Sequence, residues 1–165
     1  MKKLALSLLL ITSIAATAQK IGHVSLDSVL RVMPETDSAK KTYSLYANQL
    51  ETTLDDYTKD FNAKYKDYQI KQATYPPLIK KDKEKELDKL NQHIAEFKQQ
   101  ATENLQHLGD SIQKPILVKA KNAINAVAEE NGYYYIFDTS GGIVLYAKGD
   151  NVYGLVLKKL GVTTK

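Results

Sequence analysis

Two long stretches of the chain repeat their apolar positions at steps of three and four. The first runs through Ala39, Tyr43, Ala47, Leu50, Leu54, Tyr57, Phe61, Tyr65 and Tyr68; the second through Leu87, Leu90, Ile94, Phe97, Ala101, Leu105, Leu108, Ile112 and Ile116. Such spacing puts one apolar stripe on each of two helices. Between them stands Pro76-Pro77. Proline has no backbone donor and clashes with the preceding turn, so the pair is expected to end the first helix. Folding the chain back there sets Tyr68 against Leu87, Tyr57 against Phe97, Leu54 against Ala101, Tyr43 against Ile112 and Ala39 against Ile116. An antiparallel pair requires such matching, and small residues tend to face large ones. The pattern predicts an αα-hairpin with arms of roughly 50–55 Å at 1.5 Å per residue.

The pattern changes at both ends. Residues 20–26 alternate around Gly22 and predict a strand, followed by a short helical turn capped by Asp27 and Ser28 and broken at Met33-Pro34. Glu35, Thr36, Asp37 and Ser38 offer cap chemistry for the first arm. Pro115 is expected to interrupt the return arm, whose pattern resumes with Ala120, Ile124 and Val127 and stops at Asn131-Gly132. Residues 133–137 are aromatic or β-branched and predict a second strand. Thr139-Ser140-Gly141-Gly142 reads as a turn into a third strand over 143–147, closing a hairpin. Residues 152–160 predict a short helix stopped by Gly161.

The expected fold is therefore α+β: a small three-stranded β body carrying a long antiparallel helical hairpin, a coiled-coil arm. The body takes residues 19–36 and 115–165, and the arm takes 37–114, with its tip near Pro76-Pro77. Three short strands bury too little area to stand alone. Residues 133–137 are apolar on both faces, which calls for cover on both sides. The body is thus expected to be an oligomerising hub, through Ile21, Val24, Leu26, Tyr134, Ile136, Val144 and Tyr146.

Residues 1–18 have the form of a secretory signal peptide. Lys2 and Lys3 precede a short apolar run, and Ala16-Thr17-Ala18 is a cleavage site with the cut expected after Ala18. Setting Lys2 and Lys3 aside leaves 21 basic against 19 acidic residues, a formal charge of about +2. The only arginine is Arg31. Phosphate and base readout favour arginine, so nucleic acid is not an expected partner. The absence of cysteine excludes disulfides, thiol catalysis and thiolate metal sites.

Candidate chemistry is sparse. His93 with Glu96, and Glu103 with His107, lie one helical turn apart but far from each other along one helix, so no metal site is expected. His23 reads as a strand residue. Asp138-Thr139-Ser140-Gly141-Gly142 lacks the strand-to-helix setting of a nucleophile elbow. Asp55-Asp56 and Glu129-Glu130 are helix neighbours that point apart. No catalytic residue or cofactor is assigned, and the chain is not expected to be an enzyme. Residues 80–86 contain no apolar side chain and are expected to face Gln69, Lys71 and Gln72 across a thin seam near the tip. Six tyrosines fall on the first arm: Tyr43, Tyr46, Tyr57, Tyr65, Tyr68 and Tyr75. Two helices cannot enclose rings of that size, so one flank of each should stay accessible.

The order of these features resembles the Skp (OmpH) family of periplasmic chaperones. The resemblance runs from Lys20-Ile21-Gly22-His23-Val24-Ser25-Leu26-Asp27-Ser28-Val29-Leu30 and Met33-Pro34, through Ala126-Val127-Ala128-Glu129-Glu130-Asn131-Gly132-Tyr133, to Val152 and Leu157-Lys158-Lys159-Leu160. His23 and Ser25 depart from the aromatic and acidic residues common in such openings. The resemblance implies a periplasmic homotrimer whose arms surround a cavity and hold unfolded outer-membrane proteins without ATP. Tyr43, Tyr46, Tyr57, Phe61, Tyr65, Tyr68, Leu87, Leu90, Ile94 and Phe97 are then the candidate client-binding residues. A weak membrane or lipopolysaccharide contact is a further expectation of the resemblance. The competing expectation is a coiled-coil adaptor or tether of the envelope, bound to one fixed partner.

Overall fold

A computed structural model describes residues 19–162; the expected signal peptide lies outside them. In chain order the elements are β1 (Ile21–Val24), α1 (Leu26–Val32), α2 (Pro34–Lys71), α3 (Pro77–Asn131), β2 (Tyr135–Asp138), β3 (Asp150–Asn151) and α4 (Tyr153–Leu160). The fold is α+β, with long helices and a small three-stranded sheet. It divides into two compact units. Among the described residues, one holds 19–29 together with 120–162, and the other is Leu30–Lys119. Among the described residues no helix is long and apolar enough to cross a membrane.

In the second unit α2 and the facing part of α3 form the expected antiparallel pair. The Tyr57 ring meets that of Phe97 edge-on, with centroids 5.3 Å apart. A methyl group on Gly109 would lie 3.7 Å from Tyr43 Cε2, and Lys119 pairs with Glu35. These contacts fall on the expected register or within one helical turn of it. Leu87, Ile94 and Ile116 are buried along the seam.

The prolines act differently from the expectation. α2 ends at Lys71, where the Gln72 N–H donates to the Tyr68 carbonyl, and 72–76 form the turn. Pro77 begins α3. At a helix start the missing donor costs nothing and the fixed φ fits, so the prolines start the second helix rather than stop the first. Pro34 opens α2 in the same way, and no side chain caps that helix. Glu35 and Asp37 lie in its first turn, while the Thr36 hydroxyl donates to the Leu30 carbonyl. Pro115 does not interrupt the return helix but lies inside α3. It deprives the Ser111 carbonyl of its donor. The seam residues on either side, Ile112 and Ile116, favour continuing the helix through that single loss. Near the turn, Glu84 faces Tyr68 and Glu86 faces Lys64.

In the first unit the sheet is parallel, in the order β2-β1-β3. Ile21 pairs with Tyr135 and Val24 with Asp138 on one side, and Gly22 pairs with Asp150 on the other. This corrects the expected hairpin: 143–147 is irregular, and the third strand is Asp150–Asn151. β2 keeps its outer edge free of a partner strand, and 143–147 pairs with neither β2 nor β1. Glycine makes the close approach possible. A methyl group on Gly149 would lie 2.5 Å from the Ile21 carbonyl oxygen, and one on Gly22 would lie 3.0 Å from Val152 Cγ1.

The opening strand is also shorter than expected, because Leu26 starts α1. Ser25 caps that helix by accepting from the Ser28 N–H at 3.2 Å. Asp138 accepts from the Leu26 N–H at 3.0 Å, and the Ser140 hydroxyl accepts from the Asp27 N–H at 2.9 Å. Two exits match expectation. α3 ends at Asn131 before Gly132, and α4 ends at Leu160 before Gly161, each glycine having φ 70°. Such left-handed caps favour glycine.

Candidate functional site

The helix pair buries one line of residues and leaves a flank of rings in solvent. Leu87 and Ile94 are buried, so they close the seam. Tyr46, Tyr57, Phe61, Tyr68, Leu90 and Phe97 are half-buried, while Tyr43 and Tyr65 are exposed. The rings stand in groups because their positions recur every three or four residues. Tyr57 lies between His93 and Phe97, at 4.7 and 5.3 Å. Phe61 and Tyr65 stack 5.9 Å apart, one turn apart on α2. This line offers apolar ring faces with polar tips at small entropic cost, chemistry suited to weak contact with many sequences.

The polar groups beside the rings fix their positions. The Tyr68 hydroxyl donates to Glu84 Oε1 at 2.6 Å. That bond pushes the phenol up to about 12, so it stays a neutral donor. Glu86 receives Lys83 and Lys64, each at 3.0 Å, and these lysines hold its carboxyl below the ordinary range. Glu35 is likewise lowered, chiefly by its hydrogen bond from Lys119. All these pairs are solvent-exposed and screened, so they set register more than stability.

Near the start of α2 the seam opens. Leu30, Ala39, Tyr43, Ile112 and Ile116 line a groove of about 340 Å³ that also reaches Gly109. Sequence reasoning missed it, since those positions had been assigned to a continuous seam. Ala39 and Gly109 are the available signal, being too small to fill the space between helices.

In the sheet unit the expected self-association residues separate into two sets. Val24 is buried, and Leu26, Ile136 and Val144 are half-buried; Ile21, Tyr134 and Tyr146 are exposed. The larger exposed set had not been singled out. Ile143 is 90% and Leu145 94% exposed, and Tyr135 and Phe137 are exposed as well. The two-sided apolar character of 133–137 was the signal for the latter pair. Ile21, His23, Phe137, Val144 and Tyr146 line a hollow of about 520 Å³. His23 Nδ1 is buried without a hydrogen-bond partner among the described residues.

At the join between β2 and α1, burial works to raise the Asp138 carboxyl. The bonds from the Leu26 N–H and from the Ser140 hydroxyl and N–H outweigh it and hold the group below its ordinary value. The cluster is a structural clasp: Asp138 Oδ1 ties the start of α1 to the turn at Ser140.

A family model described as Outer membrane protein (OmpH-like) matches residues 20–160. A search of curated proteins gives no match.

Proposed function

The chain belongs to the OmpH-like family, and from that membership we propose that it is an ATP-independent periplasmic holdase for unfolded outer-membrane proteins. The observation that carries this reading is the flank of the helix pair. Leu87 and Ile94 are taken up by the seam, yet Tyr43 and Tyr65 stay open and six further ring or aliphatic positions are half-open. A holdase needs many weak, non-directional contacts of this kind. Binding the unfolded client lowers its free concentration, and aggregation slows by mass action.

The copies act together in this reading. Three chains associate through the exposed sheet residues, and the helix pairs of the three surround one client. Enclosure then adds what single weak contacts lack, because each further arm engages a client already held. Arm lysines draw acidic clients, an attraction that salt weakens.

Aggregation suppression tests the proposal. Several unrelated outer-membrane β-barrel polypeptides are diluted from denaturant with and without the full mature chain, and turbidity is followed. The expected result is suppression of all of them near one trimer per client, without nucleotide. Suppression of none, with tight binding to one folded envelope protein, would replace the holdase by a fixed adaptor or tether.

A further inference from the structure

His23 stands on the open face of the sheet. Side chains alternate along a strand, and Ile21 pairs with Tyr135 while His23 pairs with Phe137. These four share one face; Gly22 and Val24, both buried, take the other. Ile21, Tyr135 and Phe137 are exposed, whereas His23 is half-buried and its Nδ1 has no hydrogen-bond partner among the described residues. The hollow that His23 lines with Phe137, Val144 and Tyr146 holds one charged side chain among the described residues, Lys148, and no carboxylate. The carboxylates of the flanking strands belong to the opposite face, Asp138 opposite Val24 and Asp150 opposite Gly22. Asp138 accepts from the Leu26 N–H and from Ser140. Asp150 accepts from the Tyr133 hydroxyl, with Lys20 beside it. Asn151, opposite His23 on β3, is neutral.

We propose that His23 makes self-association sensitive to pH, a role that rests on the reading that further copies of the chain complete the sheet face. Copies hold together while the imidazole is neutral and separate when it takes up a proton. In the single chain the half-open ring keeps contact with water. A second copy laid over Ile21, Tyr135 and Phe137 removes that water. A charged imidazole would then be enclosed among apolar side chains and beside a lysine. Its Nδ1–H would be a buried donor with no acceptor. The neutral ring meets neither penalty. Burial by the partner disfavours the charged form, so association is at full strength above the ordinary imidazole value of about 6.5 and weakens as pH falls below it. One unit below, each imidazole that must release its proton to associate weakens association roughly tenfold. The other two histidines, His93 and His107, lie in α3.

Light-scattering mass over a dilution series tests it, with the full mature chain at pH 8.0 and pH 5.5 and equal ionic strength. The lower pH stays above the range in which Asp138 loses its charge. The expected result is assembly at pH 8.0 and at least tenfold weaker association at pH 5.5, with helical circular dichroism unchanged. His23→Phe and His23→Gln carry no charge at either pH, and the association of each should change less than twofold between them. His93→Gln/His107→Gln should weaken in acid as the parent does. That variant keeps His23 as its one imidazole, whose NMR signal should titrate at lower pH in concentrated, assembled samples than in dilute ones. A parent that assembles equally at both pH values would overturn the proposal alone. So would His23 variants that separate in acid like the parent, or an imidazole titration indifferent to concentration. A parent that stays monomeric at pH 8.0 would overturn it together with the assembly reading beneath it.

Discussion

In the helix pair, Leu87, Ile94 and Ile116 are buried by residues of the same unit; in the sheet unit, Ile143, Leu145 and Tyr146 stand in solvent. The helices carry one apolar stripe among charged residues, and 143–147 is apolar throughout. The difference lies in partners. The helix pair carries its own mate within a single fold-back, so its stripe is satisfied inside one chain. The sheet unit offers β1 a neighbour on each side but leaves β2 with one face and one edge open. Local pairing completes the first unit, whereas the second keeps apolar side chains in solvent.

The comparison can be broken on either side. Ile94→Asp places a charge in the closed seam and should cost several kcal/mol, seen as loss of helical circular dichroism at temperatures where the parent chain stays folded. Retention of the parental melting curve would show that the seam is not closed at that position. On the sheet side, Gly149→Val drives a side chain into the Ile21 carbonyl oxygen. It should cost roughly 1–3 kcal/mol as overpacking and abolish self-association while most helical signal remains.

Smaller changes sharpen the contrast. Pro115→Ala returns a donor to the Ser111 carbonyl inside α3 and should stabilise the helix by up to about 3 kcal/mol, read as a higher melting temperature. Asp138→Ala removes the clasp on α1 and should cost about 1 kcal/mol. Asp138 also sets a pH dependence. Its folded pKa is depressed, so its stabilisation is present above the ordinary value of 3.8 and is lost as pH falls through that value toward the folded one. Urea titrations below pH 5 should show this fall in the parent and a flatter profile in Asp138→Asn. Tyr68→Phe removes only an exposed hydrogen bond to Glu84, and the expected change is within about 0.5 kcal/mol.

What could be read in advance follows the same division. The helix register was legible because a stripe at steps of three and four leaves few ways to fold back, and the Tyr57–Phe97 contact lies where the stripe put it. The prolines were legible as landmarks but not in their role, since proline both ends and begins helices. The third strand was not legible. Asp150 and Asn151 have poor strand preference, and they pair with β1 because Gly149 allows the backbone close approach. Ile143 and Val144 have strong strand preference but find no ladder within the chain. The flank rings were named correctly as apolar positions, but spacing alone could not separate buried Leu87 and Ile94 from exposed Tyr43 and Tyr65. That depends on how deeply each side chain enters the seam.

The most direct test is the mass of the full mature chain by multi-angle light scattering, beside Ile143→Ser/Leu145→Ser/Tyr146→Ser. The account predicts three copies for the parent at micromolar concentration and one for the variant, with helical signal retained in both. A monomeric parent, or a variant that still assembles, would contradict the claim that the open sheet face is completed by further copies of the chain.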